Sequence, residues 1–141
     1  MISIDSNILA RHLLGDIPDH SARSSYLLER ASEGKVELFV PSTVVAEITW
    51  LLIRQRGVPR NDVADALIEI FNARGIVVEN AQAVTRALQS LKIMGGLSFV
   101  DCYHLALTQE LGITQIYSFD KKMDRFPDVE RIEPELPTEG E

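Results

Sequence analysis

LSFVDCYHLALTQELGITQIYSFD, residues Leu97–Asp120, decides how this chain folds. Ser98 has the chemistry of a helix N-cap, and Asp101, three residues on, completes the spacing of a capping box. Val100, Tyr103, Leu107 and Leu111 recur at helical intervals, and Leu105 and Ala106 widen the apolar surface. A helix that is apolar nearly all round is expected to be buried. Gly112 stands where a helix C′ residue belongs. Ile116, Tyr117 and Ser118 read as a short strand, and Asp120 lies just past its carboxyl end. Active sites of open α/β sheets gather outside the carboxyl ends of strands, so the positions of the chain's other acids matter.

Upstream, strands and helices alternate. Ile2–Ile4 reads as a strand ending at Asp5, and Ile8, Leu9, Leu13 and Leu14 as a helix stopped by Gly15. A polar-faced helix runs from Pro18 to about Glu33, and Val36–Val40 is a strand bounded by Pro41. Ser42 is expected to cap a helix reaching Gly57, with Val44, Val45, Ile48, Leu51 and Leu52 on its apolar face. Glu47 lies on the flank of that face. Trp50 and Ile53 point off it and are candidates for a partner surface. Pro59 opens a second helix, with Val63, Leu67, Ile70 and Phe71 as its buried side, and Gly75 ends it. Ile76–Val78 is a third strand, and Asn80 is expected to cap a helix running to about Lys92. Downstream, residues 121–126 read as one helical turn, and Val129–Ile132 as an edge strand. The expected fold is therefore α/β: a parallel sheet of four to five short strands with helices on both faces. One domain is expected over residues 1–132. The acidic, Pro-rich residues 133–141 are expected to form a disordered tail.

Composition narrows the function classes. Apolar content of 45% and charged content of 25% match an ordinary soluble domain. The single cysteine, Cys102, excludes an internal disulfide and any multi-cysteine metal site, and it fits a reducing cytoplasm. The opening residues lack the pattern of a signal peptide, and no apolar run is long enough to span a bilayer. A cytoplasmic protein without membrane contact is expected. The net charge of −7 argues against coating nucleic acid through bulk positive charge. It leaves room for a local, metal-bridged site.

The acids fall in a pattern. Asp5 ends the first strand, Asp120 follows the fourth, and Asp101 is in the first turn of the helix leading to it. Glu47 is in the second turn of the helix after the second strand. Right-handed crossovers bring all four to one rim of the sheet. Hard divalent cations take carboxylate oxygens, and one or two such ions can activate water against a phosphodiester. Each acid also has a structural reading: Asp101 as a helix cap, Asp5 and Asp120 as turn residues, Glu47 as a solvated helix residue. Asp124 reads as exposed. Arg11, Lys121, Lys122 and Arg125 stand near the rim as possible RNA contacts. Cys102 reads as a small buried hydrophobe, and His104 as a hydrogen-bonded core histidine.

IDSNIL at Ile4–Leu9, PSTVVAEITWLL at Pro41–Leu52, SFVDCYHLALTQELG at Ser98–Gly112 and SFD at Ser118–Asp120 resemble the PIN-domain ribonucleases. The resemblance covers nearly the whole chain and extends to the VapC-type toxins of type II toxin–antitoxin pairs. It implies a single PIN-like domain and a metal-dependent endoribonuclease acting on single-stranded RNA. It also implies that Asp5, Glu47, Asp101 and Asp120 hold Mg²⁺ or Mn²⁺, with Asn7 and Ser118 as supporting polar groups. A homodimer and a cognate antitoxin are the implied protein partners. An RNA-processing nuclease without an antitoxin would look the same. Two other classes gather acids on a small parallel sheet. An aspartyl phosphatase would favour a second carboxylate where Asn7 stands. A receiver domain would end its third strand in an aspartate, where this chain has Glu79-Asn80.

Overall fold

The computed structural model describes every residue except Glu139 and Glu141. Among the described residues there are five short strands, all in parallel pairings. β1 (Ile2–Ser3) pairs with β2 (Leu38–Val40), and β2 with β3 (Ile76–Val78). β4 (Gln115–Tyr117) and β5 (Glu130–Ile132) form a two-stranded sheet of their own. Parallel neighbours need crossovers. Helices α1 (Ser6–Leu14) and α2 (Pro18–Ser32) supply the first, and α3 (Ser42–Trp50) and α4 (Arg60–Phe71) the second. Helices α5 (Ala81–Ile93) and α6 (Phe99–Glu110) carry the chain from the first sheet to the second and pack along each other. A 3₁₀ turn, Lys121–Arg125, separates β4 from β5.

Local chemistry sets several boundaries. Pro18 occupies the first turn of α2, where its missing N–H costs nothing. Gly15 ends α1 in the left-handed conformation, φ 61°. Gly75 is held at φ 82°, and a Cβ there would collide with the Ala31 carbonyl oxygen, so no side chain would fit. Ser42 does not cap α3. It is the first helical residue, and its N–H and Oγ both donate to Glu79 Oε1, at 2.9 and 2.6 Å. These two bonds hold the Glu79 carboxyl below its ordinary value. Asn80 adopts φ 51° and makes no side-chain cap; its amide donates to the Tyr103 hydroxyl at 2.7 Å. The α-helix from Ser42 ends at Trp50, and one π turn, Leu51–Gln55, takes the chain on.

The main core joins β2 to the inner faces of the helices, with Leu9, Leu38, Val45, Ile48, Leu67 and Leu88 fully buried. A smaller cluster of Leu105, Ile116, Met123, Phe126 and Val129 lies under the second sheet, and Met94 touches both. Helix α6 spans the two clusters with Phe99, Cys102, Leu105 and Ala106 buried. The expected stripe is therefore displaced: Val100 and Leu111 are exposed, and Tyr103 and Leu107 half-buried. Both sides of α6 are apolar, and its neighbours chose between them. On α4, Ala64 is buried beside Val63 and Leu67, while Ile70 and Phe71 are only half-buried.

Arg60, unnoticed in the sequence, ties α4 to the loop before α6. Its Nε donates to the Leu91 carbonyl at 3.0 Å, and its Nη2 to those of Met94 and Leu97, at 3.0 and 2.7 Å. Beyond β5, residues 133–138 carry no regular structure, and Glu133 pairs with Arg131 at 3.2 Å. The tail expectation for Glu139 and Glu141 lies outside the described residues. Among the described residues no helix is long and apolar enough to cross a membrane.

Candidate active site

Each acid occupies a position that its local sequence dictates. Asp5 follows β1 in extended conformation and is the N-cap of α1. Its Oδ1 accepts the Ser6 N–H at 2.6 Å and the Ser6 hydroxyl at 3.3 Å. Asn7 donates from its amide to Asp5 Oδ2 at 3.3 Å. The carboxylate is exposed and sits at the positive end of a helix dipole. Asp101 completes the capping box: its N–H donates to Ser98 Oγ at 3.1 Å, and its Oδ2 accepts the Ser98 N–H at 3.2 Å. The box uses one of its two carboxylate oxygens, so capping and ligation do not exclude each other.

Glu47 stands exposed on α3, which packs against both α1 and α6. That helix lies between the one opened by Asp5 and the one opened by Ser98. Asp120 follows β4 and caps the 3₁₀ turn, its Oδ1 accepting the Lys122 N–H at 3.0 Å. Ser118 Oγ accepts the Asp120 N–H at 3.0 Å. Asn7 and Ser118 thus each bond to the acid two residues away.

The donor set is all carboxylate oxygen, which suits a hard divalent cation. Its members are not gathered. Among the described residues no three His, Cys, Asp or Glu side chains form a group that would hold an ion. Asp5, Glu47 and Asp101 lie on or at the start of α3 and the two helices packed against it, whereas Asp120 follows β4 of the second sheet. Asp124 pairs with Arg131 at 2.8 Å.

The candidate RNA cations are differently placed. Arg11 grips both oxygens of Asp16 at 2.8 Å, and Arg56 joins the same carboxylate at 3.1 Å. Burial opposes ionisation of Asp16, but the Arg11 charge and the hydrogen bonds outweigh it and lower its pKa. Arg125 donates to the Gly95 carbonyl. Lys122 Nζ lies 3.9 Å from Asp120 Oδ2, and Lys121 is exposed. His104 is exposed, not a core histidine, because it falls on the outer side of α6. Cys102 is fully buried, and that burial pushes its thiol up to about 11. It is no thiolate near neutral pH.

Trp50 is 55% exposed and Val100 56% exposed, and both line a groove of about 500 Å³ between α3 and the start of α6. Ile53 lines it too but is half-buried against the core. A second groove, between α1 and α2, brings Arg11 together with Arg23, Tyr26 and Arg30, which no sequence motif had marked.

A model of the PIN domain matches residues 2–129. The chain is 30% identical over 139 residues to the VapC ribonuclease Mb1869c of Mycobacterium bovis, covering 94% of this chain and 99% of that protein. Ribonuclease VapC13 of Mycobacterium tuberculosis matches at the same identity and coverage. A VapC ribonuclease of Aquifex aeolicus is 23% identical over 86% of this chain and 89% of its own. Among solved structures, Mycobacterium tuberculosis VapC20, described as a sarcin-ricin loop cleaving toxin, aligns with a TM-score of 0.37 at 22% identity. That alignment covers 95% of this chain and 100% of the other.

Proposed function

The chain belongs to the PIN-domain family, and from that premise we propose that it is a metal-dependent endoribonuclease of single-stranded RNA, the toxin of a toxin–antitoxin pair. The observation that carries this reading is the 30% identity to VapC ribonucleases over nearly the whole of both chains. The PIN match over residues 2–129 sets aside the phosphatase and receiver readings.

Asp5, Glu47, Asp101 and Asp120 are the proposed ligands of Mg²⁺, or of Mn²⁺ in its place. When bound, such an ion supplies Lewis acidity to water and to the scissile phosphate. The protein's own contribution is positioning. Ser6 and Asn7 orient the Asp5 carboxylate, Ser98 orients Asp101, and Ser118 fixes the backbone ahead of Asp120. Water is the nucleophile in this reading, since the one thiol is sealed in the core. Its oxygen bonds to phosphorus as a P–O ester bond breaks, and the leaving oxygen takes a proton. A reducing cytoplasm suits that free, buried thiol.

The test is cleavage of a fluorogenic single-stranded RNA by EDTA-stripped protein, with and without added Mn²⁺. Stripping should slow cleavage by about a hundredfold or more, and Mn²⁺ should restore it. Equal rates in both conditions would sink the mechanism.

For the partner, Trp50, Ile53 and Val100 are proposed as the contact between two copies of this chain. A large exposed aromatic beside a second exposed apolar residue is the composition of an interface anchor. Trp50→Ala should convert a dimer to a monomer in sedimentation velocity and leave the melting temperature of the monomer nearly unchanged. A variant that still sediments with the wild type would place the interface elsewhere.

A further inference from the structure

Helices α1 and α2 pack together and leave between them a groove of about 540 Å³. Its wall carries Asn7, Arg11, His20, Arg23, Tyr26 and Arg30. On a chain of net charge −7 this is a local concentration of cations. Arg23, Tyr26 and Arg30 follow helical spacing, so they share one face of α2. Tyr26 is 59% exposed, and the Arg30 guanidinium lies over its ring, 5.8 Å from the centroid. Arg11 is already committed to Asp16. Among the described residues Arg23 pairs with Asp19 alone, at 3.5 Å, with both side chains about three-quarters exposed. Asn7, in the groove wall, also donates from its amide to the Asp5 carboxylate.

We propose that the α1–α2 groove is a binding site for single-stranded RNA, with one base stacked on Tyr26 and phosphates met by Arg23 and Arg30. This rests on the nuclease reading above and names where the substrate lies beyond the scissile bond. An exposed aromatic paired with arginine is a stacking platform that accepts any base. Arginines along the same face offer planar forks to successive phosphates. Asn7 links the groove wall to Asp5, so a strand held at Asp5 has the groove beside it. An acidic peptide would use the same arginines and tyrosine; the bond from Asn7 in the groove wall to the Asp5 carboxylate favours the substrate strand.

The experiment is fluorescence anisotropy of a labelled oligouridine with the full chain in EDTA, so that no cleavage intervenes. Tyr26→Ala should weaken binding about 5–50-fold, and Tyr26→Phe should hold it near wild type. Arg23→Gln and Arg30→Gln should each weaken binding and flatten the salt dependence by about 0.7 in log–log slope. In metal, all three weakening variants should raise KM on a long oligouridine and leave cleavage of a dinucleotide unchanged. Binding that survives all these substitutions overturns the groove while the nuclease reading stands. Equal losses in Tyr26→Ala and Tyr26→Phe overturn stacking on Tyr26. If the variants bind oligouridine normally but lose an acidic Leu-rich peptide, the groove is a protein site and the proposal fails. A wild type that neither binds nor cleaves oligouridine overturns both readings.

Discussion

Asp101→Asn is expected to lower RNA cleavage by about a hundredfold to a thousandfold or more, with the fold intact. The reason lies in the two roles of one side chain. Asp101 Oδ2 accepts the Ser98 N–H in the capping box, and an asparagine amide oxygen accepts the same bond. What asparagine lacks is the charge that holds a cation. Asp5→Asn separates the roles in the same way, because asparagine is among the best N-cap residues and can keep the Ser6 bond. Alanine at either position would also remove a cap, costing about 1 kcal/mol, and would confuse the two effects. The measurements are cleavage rate, circular dichroism and thermal melting on the same samples. An asparagine variant that cleaves like the wild type removes that residue from the catalytic set. One that melts far below the wild type shows that the acid is structural.

The largest stability loss is expected at Arg60. Its guanidinium serves three backbone carbonyls, those of Leu91, Met94 and Leu97, at the end of α5 and in the loop before α6. Leu91 and Leu97 are buried, so their carbonyls have little water to turn to when the donor is lost. Arg60→Ala should cost about 2–4 kcal/mol, since charged hydrogen bonds are worth more than neutral ones and orphaned acceptors add to the loss. Arg60→Lys keeps the charge but not the fork, and it should fall between the two. Urea unfolding measures both variants. A change in Arg60→Ala no larger than that of a surface substitution would show that the loop is not held this way. The same loop ends at Ser98, so its loosening should also reduce activity through Asp101.

Much of the element order was legible in the sequence because its causes are local. A capping box is closed by residues three apart, and Ser98 and Asp101 form it as read. Gly15 at φ 61° and Gly112 at φ 75° end their segments because they alone tolerate that backbone cheaply. The five strands fall where short apolar runs meet turn residues, and the placements of Asp5 and Asp120 after β1 and β4 follow from the same boundaries. The hydrogen bonds of Asn7 to Asp5 and of Ser118 to Asp120 span only two residues, and both residues were singled out by the family resemblance.

What the sequence could not decide depends on partners distant along the chain. Helix α6 is apolar on two sides, and only its packing on α5 and the second cluster buried Cys102 and Leu105 and left Val100 out. Ser42 resembles a cap, but Glu79, thirty-seven residues away, took its hydrogen bonds. Strand order is likewise non-local: β4 paired with β5 and stands apart from the three-stranded sheet. The sequence alone therefore determined the α/β order, the Ser98–Asp101 capping box and the places of Asp5 and Asp120 after their strands, because short-range hydrogen bonding and backbone sterics act within a few residues. Tertiary structure alone decided which apolar face was buried, which arginines became struts, and which gathered around Tyr26, because each depends on long-range packing.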